Sequence, residues 1–229
     1  MSKPAIILKE PALVHPRLSE LGLSASTLTT IVGEGEAGRA SATELDPPSA
    51  SGMLAWIHGV RAKRAKLIPL GYEYLDIEGC PVTRHPDRRI AIIYAAGNES
   101  TGLVERTPTT KYPKGEVLFN AIRENSRQMD LFACLSTAAN MNTAVAVKTH
   151  KEMTGYTTYL LMVFPSPVDT RAELSAPASF DDRGFPASWS ERIILPVVPR
   201  DPTAGIRGSG DGSPDGGDDL DIPVVRRAI

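Results

Sequence analysis

The chain has few of the residues that most often reveal a protein's chemistry. It contains only two cysteines, Cys80 and Cys134, and four histidines in 229 residues. Two cysteines are too few for a disulfide scaffold, and no histidine lies at metal-ligand spacing from another histidine or a cysteine. The sequence therefore predicts no metal or other cofactor, and it predicts two reduced thiols.

Long apolar runs and a strong net charge are also missing. No window approaches 18 uninterrupted apolar residues, so no membrane span is predicted. The short apolar run near the N-terminus is broken by charge and does not match a signal peptide. The formal net charge is −2, which gives the whole molecule no strong attraction to nucleic acid or acidic membranes. These features favour a soluble cytoplasmic protein.

Common catalytic signatures are absent as well. The sequence has no phosphate-binding G-x-x-x-x-G-K-[ST] loop, no G-x-S-x-G elbow and no H-E-x-x-H pair. Glu73, Asp76 and Glu78 lie on a predicted strand, but acids on a strand are typical of a solvated face rather than of a two-metal site. We expect no catalytic residues, and the sequence inclines towards a protein that is not an enzyme.

Glycine and proline, by contrast, are plentiful, with 19 of each. Glycine is concentrated near the C-terminus, where residues 201–229 also hold six aspartates and three arginines, a net charge of −3. The preceding residues therefore carry −2 − (−3) = +1. Because such a segment buries little apolar surface, the composition predicts a disordered tail at 201–229 after a body at 1–200.

Within the body, apolar spacing predicts helices and strands. Met53, Trp56, Ile57 and Val60 follow the i, i+3, i+4, i+7 rule, so residues 51–66 should form a helix with this stripe in the core. A short helical pattern at 27–31 is expected to end at the glycines at 33 and 35.

Strand patterns occur at 71–78, 89–95, 156–164, 170–174 and 192–197. Turn residues around Pro81 and at 85–87 should join the first two strands, and those at 165–167 the next two. Hairpin spacing with helices set apart predicts an α+β fold: a single domain, mainly an antiparallel sheet with helices to one side.

The predicted helix at 51–66 carries the densest basic group of the chain. Arg61, Lys63, Arg64 and Lys66 should lie opposite the apolar stripe, and Arg84, Arg88 and Arg89 follow in a neighbouring turn. Such a surface favours weak binding of DNA phosphates. A plain solvated helix face is the alternative.

One pentapeptide suggests a partner. Gln128-Met129-Asp130-Leu131-Phe132 resembles the motif by which bacterial replication and repair proteins dock on the polymerase sliding clamp: Gln, Leu or Met, Ser or Asp, Leu, Phe. The resemblance implies that Leu131 and Phe132 fill an apolar pocket while Gln128 hydrogen-bonds at its rim. Core packing and another kind of peptide recognition are the alternatives.

The tail has a second resemblance. Asp218-Asp219-Leu220-Asp221-Ile222-Pro223 is similar to the acidic tip of bacterial single-stranded-DNA-binding proteins, but the final Phe is absent and six residues follow the Pro. The body is similar to uncharacterised proteins of bacterial plasmids and prophages, which implies a context and no activity.

Together these features predict a non-catalytic accessory protein of bacterial DNA replication, repair or a mobile element. Its expected partners are the polymerase sliding clamp and, weakly, DNA, with no membrane. An enzyme acting on nucleic acid with an unplaced site is one alternative. A DNA-mimicking inhibitor or interaction protein is another.

Overall fold

The computed structural model of the chain describes residues 4–77, 79–113, 153 and 155–200. Over these ranges the chain forms an α+β domain with three α-helices and one eight-stranded mixed sheet. The expected α+β class and single domain are confirmed. The predicted tail and the pentapeptide at 128–132 lie outside the described residues.

The strands are β1 (Ile6–Leu8), β2 (Glu73–Ile77), β3 (Cys80–His85), β4 (Ile90–Ala96), β5 (Thr157–Pro165), β6 (Asp169–Phe180), β7 (Pro186–Ile194) and β8 (Val198–Pro199). Seven of the eight follow the order β1-β7-β6-β5-β4-β3-β2 in the sheet, and the short β8 pairs with β6. Five of the seven pairings among these described strands are antiparallel, while β1 with β7 and β4 with β5 are parallel.

Three helices cover one face of this sheet: α1 (Pro11–Glu20), α2 (Ala25–Ala40) and α3 (Ala50–Leu67). The Ser24 hydroxyl caps α2 by accepting a hydrogen bond from the Thr27 backbone N–H at 3.1 Å. Helix residues such as Leu18, Leu28 and Leu67 share one apolar core with sheet residues such as Leu161 and Leu174. This core holds the helices on the sheet.

Helices α2 and α3 approach each other and β4 through glycine. A β-carbon at Gly59 in α3 would overlap the ring of Tyr94 from β4, and one at Gly35 in α2 would lie 2.5 Å from the Tyr94 hydroxyl. The glycines in α2 therefore make room for a large buried ring and do not end the helix. The expected helix end at residues 33 and 35 was wrong, because α2 continues to Ala40.

The opposite face of the sheet is held by a buried ion pair. Glu173 and Arg192 have relative exposures of 0% and 2%, and Arg192 Nη2 lies 2.6 Å from Glu173 Oε2. The guanidinium also donates to the carbonyls of Leu103 and Arg106, while the carboxylate accepts from the backbone N–H of Gly102. This network fixes the connection after β4 against β6 and β7.

The predicted strands are largely present, with one important difference. The patterns at 156–164 and 170–174 correspond to β5 and to part of β6, which are antiparallel as expected. However, β2 and β4 are not direct partners, because β3 lies between them. Pro81, expected in a turn, is inside β3 opposite Asp76.

None of the described helices has both the length and the apolar character needed to cross a membrane.

The tight contact at Gly59 gives a test of the helix packing. Gly59→Ala should lower the free energy of unfolding by about 1–3 kcal/mol, because the methyl group would overpack Tyr94. Gly52→Ala is the matched control in the same helix, since its β-carbon would meet nothing within 4 Å. That control should be neutral or stabilising by up to about 1 kcal/mol. Urea unfolding measures both, and equal effects would contradict the packing described.

Candidate nucleic-acid interface

The basic residues predicted on α3 do not form one surface. Lys63 is fully buried, whereas Arg61 and Lys66 are exposed and Arg64 is half-buried. At about 100° per residue, Arg61 and Arg64 are about 60° apart around the helix, and Lys66 is about 140° from Arg61. The expected four-residue basic face is therefore corrected to two neighbouring arginines, with Lys66 turned away and Lys63 removed from the surface.

Lys63 instead connects α3 to the sheet. Its Nζ donates hydrogen bonds to the carbonyls of Pro81 in β3 and Ile92 in β4, each at 2.9 Å. Burial lowers the pKa of the Lys63 amine to about 7. The lysine is thus a positioning residue that fixes the helix over the β3–β4 pair.

The apolar stripe of α3 was expected in the core, and the structure shows the opposite for most of it. Met53, Trp56 and Ile57 have relative exposures of 58%, 44% and 36%, and only Val60 is buried. The buried face carries the small residues Ala55, Gly59 and Ala62 together with Lys63 and Leu67. Close approach to Tyr94 requires small side chains there, so the large apolar residues face outwards.

Part of this exposed stripe borders a groove between α3 and the β2–β3 hairpin. The groove has a volume of about 380 Å³. It is lined by Trp56, Ile57, Val60, Arg61, Arg64, Asp76, Gly79 and Pro81. Aromatic, aliphatic and guanidinium groups thus share one open surface, which we call the Trp56 groove.

Arg64 is held at the wall of the Trp56 groove by two contacts. Its Nη2 lies 2.5 Å from Asp76 Oδ1, and its guanidinium lies 4.8 Å from the ring centre of Tyr74. Asp76 is an exposed partner, and such surface pairs contribute only about 0–1 kcal/mol. The ion pair therefore adds little to stability, and Asp76 places one carboxylate at the same wall of the groove.

The other charged side chains near the hairpin are engaged locally. Glu73 of β2 pairs with Arg84 of β3 at 2.6 Å, and the guanidiniums of Arg84 and Arg89 each lie 5.2 Å from the ring centre of Tyr156. The acids of β2 thus pair with arginines and do not converge. Among the described residues there is no group of three His, Cys, Asp or Glu side chains placed to hold a metal ion.

A larger cavity of about 640 Å³ lies between the second half of α2, the loop after it and residues 198–200. Three of its charged groups contact one another: Glu36 lies 3.0 Å from Arg39 and 3.5 Å from Arg200. Asp46 accepts hydrogen bonds from the backbone N–H and hydroxyl of Thr43. Because no aromatic residue lines this cavity, whereas Trp56 lines the smaller groove, the Trp56 groove is the better candidate interface.

Comparisons of the chain with protein families, with curated proteins and with solved structures gave no match. The assignment of the Trp56 groove as a candidate interface therefore depends on the geometry of its residues alone. The sequence predicted Arg61 and Arg64 as members of the interface. It did not predict that Trp56 is exposed there, or that Tyr74 and Asp76 contact Arg64. The small residues at 55, 59 and 62, spaced by four and three, were the signal that identifies the buried face.

The amine of Lys63 should make stability depend on pH. Its pKa of about 7 in the folded protein lies below the unfolded value of about 10.4. Between these values the unfolded chain binds more protons, so the free energy of unfolding should rise with pH from about 7 to about 10.4, by up to about 1.4 kcal/mol per pH unit. Below pH 7 the amine is protonated in both states and adds no further dependence.

Urea unfolding from pH 6 to pH 10 measures this rise. Lys63→Met should remove the Lys63 contribution, whereas the matched change Lys66→Met on the exposed part of the same helix should keep it. Identical pH profiles for the wild type and Lys63→Met would contradict the lowered pKa of the buried Lys63 amine.

Proposed function

We propose that this protein is a non-catalytic accessory protein of bacterial DNA replication, repair or a mobile element. It docks on the polymerase sliding clamp through residues 128–132 and contacts single-stranded DNA at the Trp56 groove. One observation carries the nucleic-acid part: α3 has no acidic residue and presents an exposed tryptophan beside two arginines in one groove.

The chemistry of the Trp56 groove suits single-stranded nucleic acid. A base stacked on an aromatic side chain contributes about 1–3 kcal/mol, and this contribution tolerates any base because each has a π-face. Arg61 and Arg64 lie on the same side of the helix, where they can pair with backbone phosphates. The groove is open at the surface, so a flexible strand could lie along it without unstacking a duplex.

The modest charge of the body supports weak binding. Residues 1–200 carry a net charge of about +1, so two arginines provide most of the local attraction and salt should screen it strongly. An accessory protein that binds DNA weakly needs a second attachment. The match of all five positions at 128–132 to the clamp-docking motif supports the clamp as that attachment.

The nucleic-acid part is tested by titrating a labelled single-stranded oligonucleotide at low salt. Trp56→Ala should weaken binding by about fivefold or more through loss of stacking, and the double change Arg61→Glu, Arg64→Glu should abolish it. Lys66→Glu is the matched control, because it reverses a charge on the same helix away from the groove. Fluorescence anisotropy measures each affinity. Equal weakening by Lys66→Glu and the arginine reversals would show that the Trp56 groove is not the binding surface.

The clamp part is tested by calorimetric titration of the full chain with a bacterial sliding clamp. We expect micromolar affinity, about −8 kcal/mol. Leu131→Ala with Phe132→Ala should lower the affinity at least about thirtyfold, because two apolar anchors are lost. Met129→Leu is the conservative control and should retain binding, since the motif accepts either residue. Binding that is unaffected by the double change would remove clamp docking from the proposed function.

A further inference from the structure

The Trp56 groove and its surroundings form an apolar surface that the described residues do not cover. Met53, Trp56 and Ile57 lie on neighbouring turns of α3, and each is at least 36% exposed. Arg61 and Arg64 continue the same side of the helix towards its C-terminal end. An occupant of this surface must therefore present apolar side chains next to negative charge.

The C-terminal part of the chain contains a segment with this combination. Asp218-Asp219-Leu220-Asp221-Ile222-Pro223 places three carboxylates around two aliphatic side chains. In an extended backbone, Asp218, Leu220 and Ile222 would lie on one side and Asp219 and Asp221 on the other. We call residues 218–223 the acidic segment. The tail at 201–229 carries a net charge of −3, opposite in sign to the charges of Arg61 and Arg64 on α3.

The acidic segment is tethered close enough to reach the groove. The described chain ends at Arg200, and 17 residues precede Asp218, which span up to about 60 Å when extended. Arg200 and Ser51 of α3 line the same cavity, and Trp56 lies only five residues further along α3, about 7.5 Å, so a span of about 60 Å is sufficient to reach the groove. Tethering also gives an effective concentration of the order of millimolar, so even a weak contact would be occupied.

We propose that the acidic segment docks in the Trp56 groove of its own chain. Leu220 and Ile222 pack against Trp56 and Ile57, and Asp218, on the same side of the segment, pairs with Arg61 or Arg64. Asp219 and Asp221, on the other side, add longer-range attraction to the arginines. Because the contact uses the surface assigned to single-stranded DNA, the tail limits access of DNA to the groove; this regulatory consequence rests on the proposed function, whereas the docking itself does not.

The two tryptophans of the chain make the contact measurable. Trp56 is 44% exposed in the described body, and Trp189 is 3% exposed. Acrylamide quenching of the full-length protein therefore reports mainly on Trp56, and Trp56→Phe gives the background from Trp189. The measurement is made without nucleic acid, at protein concentrations that differ by about a hundredfold.

Docking predicts that the tail shields Trp56. Leu220→Ser with Ile222→Ser should raise the quenching constant of Trp56 about twofold, as should Asp218→Asn, Asp219→Asn and Asp221→Asn together. Salt at about 1 M should also raise the quenching constant of Trp56, because it shortens the electrostatic screening length to about 3 Å and weakens the ion pairs. The matched control, Asp211→Asn with Asp215→Asn, removes two charges outside the acidic segment and should leave quenching unchanged.

Two results would overturn the proposal. Equal quenching in the wild type and the Leu220→Ser, Ile222→Ser protein would show that the acidic segment does not cover Trp56. Shielding that grows with protein concentration would assign the surface to a second copy. The two proposals can also be told apart. If Leu220→Ser with Ile222→Ser removes the shielding of Trp56 but the wild-type protein binds no oligonucleotide, docking is supported and the DNA-binding part of the proposed function is contradicted.

Discussion

The buried amine of Lys63 is the interaction on which the arrangement of the candidate interface depends. It reaches through the core to the carbonyls of Pro81 and Ile92, which belong to adjacent strands, so one side chain fixes the rotation and height of α3 over the sheet. With Lys63 turned inwards, Arg61 and Arg64 are directed to the groove beside the hairpin. A buried polar group without its partners would cost several kcal/mol, so this orientation of the helix is strongly specified.

Sequence patterns predicted the fold class but not the orientation of its key helix. The run of apolar residues at 156–164 is buried on both faces of the sheet, so its strand was evident from composition alone. The stripe at 53, 56, 57 and 60 has helical period, and α3 is indeed present. The helical period of the large apolar residues does not identify the buried side of the helix when close packing selects small residues. In α3 this happens at Gly59, which lies beside Tyr94.

Residues whose role depends on distant partners were also not predictable. Glu173 and Arg192 look like surface charges in the sequence, yet they form a buried pair that contacts the backbone at Gly102, Leu103 and Arg106. Removing one member of such a pair typically costs about 3–5 kcal/mol, because the other charge remains buried. Likewise, Pro81 suggested a turn, but its carbonyl serves Lys63 and its missing N–H is tolerated near the start of β3.

The parallel pairing of β1 with β7 has a consequence for folding during synthesis. Ile6 pairs with Glu191, so β1 lacks β7, its one partner among the described strands, until about 185 further residues have been added. At roughly 5–20 residues per second, the ribosome needs about 10–40 s to supply them. Exposed Ile6 and Ile7 remain unpaired with β7 during that interval, which makes β1 a site where chaperones or neighbouring chains can bind before the domain closes.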